Sequence, residues 1–114
     1  MALALNLPLY IDEGIGEWYG LLRRESSPDH PTPLDVERWR EFFPNVEFRR
    51  GETGIVGERR GETIDVLHQR VQTALEKLIS RADKEGLKTI LLCTHAATNI
   101  ALGRALTGVM EVCM

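Results

Sequence analysis

Cysteine is scarce in this 114-residue chain, with two in all, and aromatic residues make up only 6% of it. Two thiols, Cys93 and Cys113, cannot build a disulfide framework, and nothing in their number points to an oxidising compartment. Cys93 lies in an apolar run, where a free thiol is expected to be buried. Three histidines and two distant cysteines share no metal-ligand spacing, so neither a zinc site nor any metal is expected. There is no excess of basic charge: 14 Lys and Arg stand against 17 Asp and Glu, a net of −3. A mildly acidic chain has no bulk attraction for nucleic acid or anionic lipid, so any place in a nucleic-acid assembly is expected to run through protein contacts. No apolar run approaches the ~18 residues that span a bilayer. Met1 to Leu9 is apolar, but it has no basic leader or cleavage-like site and Pro8 breaks it, which argues against a signal peptide. The expected location is cytoplasm or nucleus. Glycine-rich phosphate loops and Ser-centred nucleophile elbows are also missing.

What is present reads as one α/β unit, and 114 residues suffice for a single domain. At 43% hydrophobic and 27% charged, the composition is that of a folded chain. Met1–Leu7 reads as closing turns of a helix that ends at Asn6, ahead of Pro8. Leu9-Tyr10-Ile11 is a short strand candidate, stopped by Asp12-Glu13-Gly14. Residues 15–20, Ile-Gly-Glu-Trp-Tyr-Gly, have the make-up of a shaped loop. Ser26–Pro33 carries three of the five prolines and reads as irregular. Thr32 as cap, Pro33 at the first position and Asp35 predict a helix to about Phe43, with Val36, Trp39, Phe42 and Phe43 on its apolar side. Asn45–Gly61 reads as loop.

The clearest helix runs from Thr63 to about Ala82. Ile64, Leu67, Val71, Leu75, Leu78, Ile79 and Ala82 recur mostly at steps of three and four, before Lys84-Glu85-Gly86 closes it. Thr89–Thr94 then reads as a parallel strand buried on both faces, and Ala96–Leu106 as another helix.

In an open α/β sheet, ligands collect outside the carboxyl ends of the strands. His95 falls there, one step past the strand and at the start of the next helix. Free N–H groups and the positive dipole end favour an anion at such a place. An imidazole held against that anion can stabilise charge on a transferring phosphoryl group. It can equally be a capping or core histidine. Glu17, set beside Trp18 and Tyr19, is a candidate for proton transfer, against the plainer reading of a surface glutamate. The arginine pairs at 23–24, 49–50 and 59–60 read as solvated loop charges, His68 as a boundary packing residue, and His30 has no evident partner.

Three segments together carry a family resemblance. They are Glu13-Gly14-Ile15-Gly16-Glu17-Trp18; Gly61-Glu62-Thr63 opening a long helix that contains Arg70; and Leu91-Leu92-Cys93-Thr94-His95-Ala96-Ala97. The sequence resembles the histidine-phosphatase (phosphoglycerate-mutase-like) superfamily over nearly its whole length. Within that family it is most similar to the ubiquitin-associated, SH3-containing phosphatases and the histidine-phosphatase subunit of fungal transcription factor TFIIIC. Thr94 to Arg104 and the Glu-Trp-Tyr-Gly at 17–20 place the fungal group first.

The resemblance implies phosphomonoester hydrolysis through a phosphohistidine, without metal or cofactor. Glu17 would donate a proton to the leaving oxygen, His95 would contact the phosphoryl group, and the Ala96 N–H would line the pocket. It also implies two things this sequence does not contain: an Arg-His-Gly segment with the nucleophile, and a Ser-Pro-x-x-Arg segment with a second arginine. Residues 1–114 are therefore expected to form a partial histidine-phosphatase domain. This would be an incomplete three-layer α/β fold with a mostly parallel sheet, lacking the N-terminal strand that would lie beside 89–94. Such a chain is expected to lack activity alone. It would be a fragment, or would borrow a strand by self-association through an open edge. The alternative is a non-catalytic protein-interaction subunit of a TFIIIC-like factor of RNA polymerase III.

Overall fold

In the computed structural model, which describes residues 2–109, the Leu9–Ile11 run forms strand β1 and is followed by a single 3₁₀ turn, Glu13–Ile15. Ahead of it, α1 (Ala2–Leu5) ends at Asn6, whose φ of 52° turns the chain. Beyond the turn come α2 (Val36–Phe42), β2 (Phe48–Arg50), α3 (Ile64–Glu85) and α4 (Ala96–Thr107). Strands β1 and β2 pair in parallel, with Leu9 opposite Phe48 and Ile11 opposite Arg50. Flanking bonds from Leu9 N to Glu47 O and from Gly51 N to Ile11 O extend the ladder at both ends. The expected α/β class is therefore found, with a parallel sheet of two strands among the described residues.

Helix α3 is the spine. Thr63 caps it by accepting a hydrogen bond from Val66 N, and Gly86 closes it in the left-handed conformation at φ 68°. Leu67, Val71 and Leu75 on one face pack against Ala101 and Leu102 of α4, with Ile15, Trp18 and Leu92 filling in around them. The expected stripe is narrower than the periodicity implied, since Ile64 and Ile79 are exposed. Helix α2 starts three residues later than expected. Asp35, not Thr32, is its cap and accepts from Arg38 N, because a carboxylate at that position satisfies a free N–H of the first turn. Only Val36 of its apolar side is buried, while Phe42 and Phe43 remain exposed. Trp39 stacks on both Phe43 and Phe48, and Phe43 meets Phe48 at a tilt; Phe48 belongs to β2, a strand that falls inside a region expected to be loop.

The main correction concerns Thr89–Thr94. The segment is neither helix nor strand, and from Lys88 to Thr94 it makes no backbone–backbone hydrogen bond. No described strand lies beside it, so its two-sided burial is not realised. Leu92 reaches the α3/α4 core, whereas Leu91 is 65% exposed. Cys93 is likewise exposed, contrary to the expectation for a thiol in an apolar run, and Cys113 lies outside the described residues.

The openness shows in the totals. The chain exposes 8528 Å², about a third more than the ~6,300 Å² of a compact monomer of this mass. Its radius of gyration is 15.4 Å, against ~13 Å for a compact domain of this length. No helix of the described residues is long and apolar enough to cross a membrane.

Candidate functional site

The loop after β1 and the start of α4 meet at one edge of the α3/α4 pair. There the Nδ1 of His95 lies 2.9 Å from Oε2 of Glu17. The second carboxylate oxygen of Glu17 accepts from the N–H of Trp18 at 2.9 Å, which fixes the side chain's direction. Glu17 is about one-third exposed and His95 about two-thirds. His95 occupies the N-cap position of α4, but its ring makes no capping bond and turns to Glu17 instead. Ala96 is the first residue of α4 and is exposed beside it. The structure thus brings together the three residues singled out by sequence. It also leaves a helix start, with its positive dipole end, at the His95 backbone.

A cavity of about 240 Å³ opens at this pair, its walls including Tyr19, His30, Arg59 and Arg70. His30 gains partners that the sequence did not disclose. It stacks on Tyr19, ring centroids 4.8 Å apart, and its Nε2 lies 2.8 Å from the carbonyl of Gly20. Arg59 is held across the cavity by Glu13 at 2.9 Å, and the hydrogen bond to Glu13 raises its pKa above the ordinary value. Arg60 donates to the carbonyls of Arg24, Glu25 and Ser27, so this arginine pair laces the proline loop to the rest of the wall. Gly61 is needed where the strips cross, with φ 99°, because a Cβ there would overlap the carbonyl of Gly20.

Beneath the loop lies a buried ion pair. Arg70, 7% exposed, and Glu62, 4% exposed, meet through two hydrogen bonds of 2.8 Å. The spacing Leu67, Arg70, Val71, Ala74 places this arginine on the buried face of α3, a position that apolar periodicity alone does not assign to a charged residue. His68, by contrast, sits at the α3/α4 boundary as expected, its Nδ1 2.8 Å from Ile64 O and its Nε2 3.0 Å from Arg104.

A second, larger cavity of about 520 Å³ separates β1 from the unpaired segment, with Leu9, Ile11, Trp39, Phe48, Cys93 and His95 among its lining residues. Most of its lining is apolar, and of the Glu17–His95 pair it reaches His95. Among the described residues, no cluster of His, Cys, Asp and Glu could hold a metal ion.

Comparison with known proteins shows the family. The family model of the histidine phosphatase superfamily (branch 1) matches residues 1–111. The transcription factor tau 55 kDa subunit of Saccharomyces cerevisiae is 36% identical over 110 residues, which cover 95% of this chain and 25% of that protein. The chain therefore spans about a quarter of the length of the curated relative it matches. With a family match across almost all of its residues, the chain belongs to the histidine phosphatase superfamily.

Proposed function

We propose that residues 1–114 form a partial histidine-phosphatase domain carrying the acid and charge-stabilising side of a phosphomonoester site. The single observation behind this is the Glu17–His95 pair at 2.9 Å on the wall of a cavity at a helix start. In this reading Glu17 protonates the leaving oxygen. His95 and the Ala96 N–H stabilise the negative charge that develops on the phosphoryl group, a preorganised electrostatic role. No metal or cofactor takes part. The reaction class, by family resemblance, runs through a phosphohistidine. The Arg-His-Gly segment that would provide the attacking histidine does not occur among these residues. Covalent catalysis needs its nucleophile, so the chain alone is inactive.

Turnover of p-nitrophenyl phosphate by this polypeptide is the test. A rate at background is expected. Turnover above background that disappears in His95→Ala would overturn the inactivity.

A second reading has its own support. The relative's name makes it a subunit of a transcription factor. On that reading this chain is a non-catalytic interaction module in a nuclear, TFIIIC-like assembly of RNA polymerase III, bound to proteins and not directly to nucleic acid. The net charge of −3 favours protein over nucleic-acid contact. The unpaired Thr89–Thr94 edge is where a protein strand would add, from a partner or from a second copy of the chain. Pull-down of the intact factor with the wild-type chain, and its loss with Leu91→Lys, would support this module. Equal recovery of both would count against it.

A further inference from the structure

The backbone carbonyls of the loop that carries Glu17 all turn inward. Those of Glu13 and Gly14 accept from Nη1 of Arg70 at 3.2 and 3.0 Å. That of Ile15 accepts from Oγ1 of Thr94, and that of Gly16 from Oγ1 of Thr98 at 2.7 Å. The carbonyl of Glu17 lies 3.4 Å from Nη2 of Arg70. Five consecutive carbonyls are thus gathered by three side chains. Arg70 is itself oriented by Glu62, whose carboxylate takes up the opposite edge of the guanidinium.

The location of the two threonines matters more than the number of bonds. Thr94 immediately precedes His95, and Thr98 lies one turn after it on α4. Thr98 is fully buried. The loop bearing Glu17 is therefore tied to the backbone on both sides of His95, and Arg70 clamps the same loop from α3. With its carbonyls engaged below, the loop directs the Glu17 carboxylate to the ring of His95. A rigid polar shell of this kind sets a working pair to the few tenths of an ångström its chemistry demands. Buried polar groups so connected also specify a single geometry, because an alternative loop path would leave the Nη1 group of Arg70 without its carbonyl acceptors.

We infer that Arg70, Thr94 and Thr98 are positioning residues that set Glu17 against His95. This rests on the reading of Glu17 and His95 as the working pair, yet it concerns their geometry and can be tested without turnover. The probe is the tautomer balance of the His95 ring, read from its nitrogen resonances in the ¹⁵N-histidine-labelled full chain. An acceptor at Nδ1 favours the Nδ1–H form, so Glu17→Ala defines the balance without the contact. Thr98→Val, with helix content and melting temperature unchanged, is expected to move the balance toward that of Glu17→Ala. Thr98→Ser is expected to restore it. Arg70→Lys should act in the same direction; if it unfolds the chain, Thr94→Val serves in its place. A wild-type balance retained in folded Thr98→Val and Thr94→Val chains would overturn the inference. Because no substrate is involved, that result would leave the phosphomonoester reading standing, and absence of phosphomonoester binding would leave the positioning result standing.

Discussion

The Glu62 carboxylate and the Arg70 guanidinium face each other edge to edge through two hydrogen bonds of 2.8 Å, with both side chains no more than 5% exposed. Neither group is left alone by the fold, and among the described residues no buried side-chain polar atom lacks a partner.

Removing one member of this pair exposes the cost of burying the other. Arg70→Met is expected to destabilise the chain by about 3–5 kcal/mol, because it strands a buried carboxylate. Glu62→Gln with Arg70→Met should recover part of that loss. Urea unfolding of the two variants measures it, and a double variant no better than the single one would show that the pair is not coupled.

Gly61→Ala tests the crossing of the two loop strips. The residue combines a φ of 99° with the close approach of the Gly20 carbonyl, so a loss of about 1–3 kcal/mol is expected. Thermal melting reads it; an unchanged midpoint would mean that the strip moves freely.

The cap of α3 carries a smaller stake. Thr63→Ala removes the acceptor for Val66 N and is expected to cost about 1 kcal/mol, with Thr63→Ser close to wild type. The same unfolding experiment separates the two variants.

Cys93 is expected to react with a thiol reagent in the native chain at close to the rate of the unfolded one, since it is exposed. A Cys113→Ser background isolates its signal. Strong protection of Cys93 in that background would show that the segment is covered in solution.

Self-association through the open edge predicts an elution volume that depends on concentration, with Leu91→Lys moving the chain toward monomer. A lysine in the middle of an edge strand opposes pairing. A cooperative monomer at all concentrations would count against strand borrowing.

Local sequence signals account for the local structure. Helix α3 was legible from its apolar spacing and from Thr63 and Gly86, and β1 from its β-prone triplet. The contact of His95 with Glu17 is not legible from local patterns, because it depends on tertiary folding; only the family resemblance sets the two at one site. Two failures share one cause. Apolar sequence at 89–94 reads as a buried strand only if neighbours exist to bury it, and β2, at Phe48–Arg50, is a strand only because β1 lies beside it. His30 was unreadable for the same reason, since its partner Tyr19 is reached through the fold of the proline loop.

The bonds from Thr94 and Thr98 to the Glu17 loop close sequence separations of 79 and 82 residues. On a ribosome adding ~5–20 residues per second, the loop emerges roughly 4–16 s before the threonines that will hold it. The bonds of Ile15 and Gly16 to these threonines cannot form during that interval, and closing so long a loop carries an entropic cost before any contact repays it. The pair therefore cannot be set before the start of α4 has been made, and shortening the polypeptide before Thr98 would remove both the Gly16–Thr98 tie and the α4 residues that cover α3.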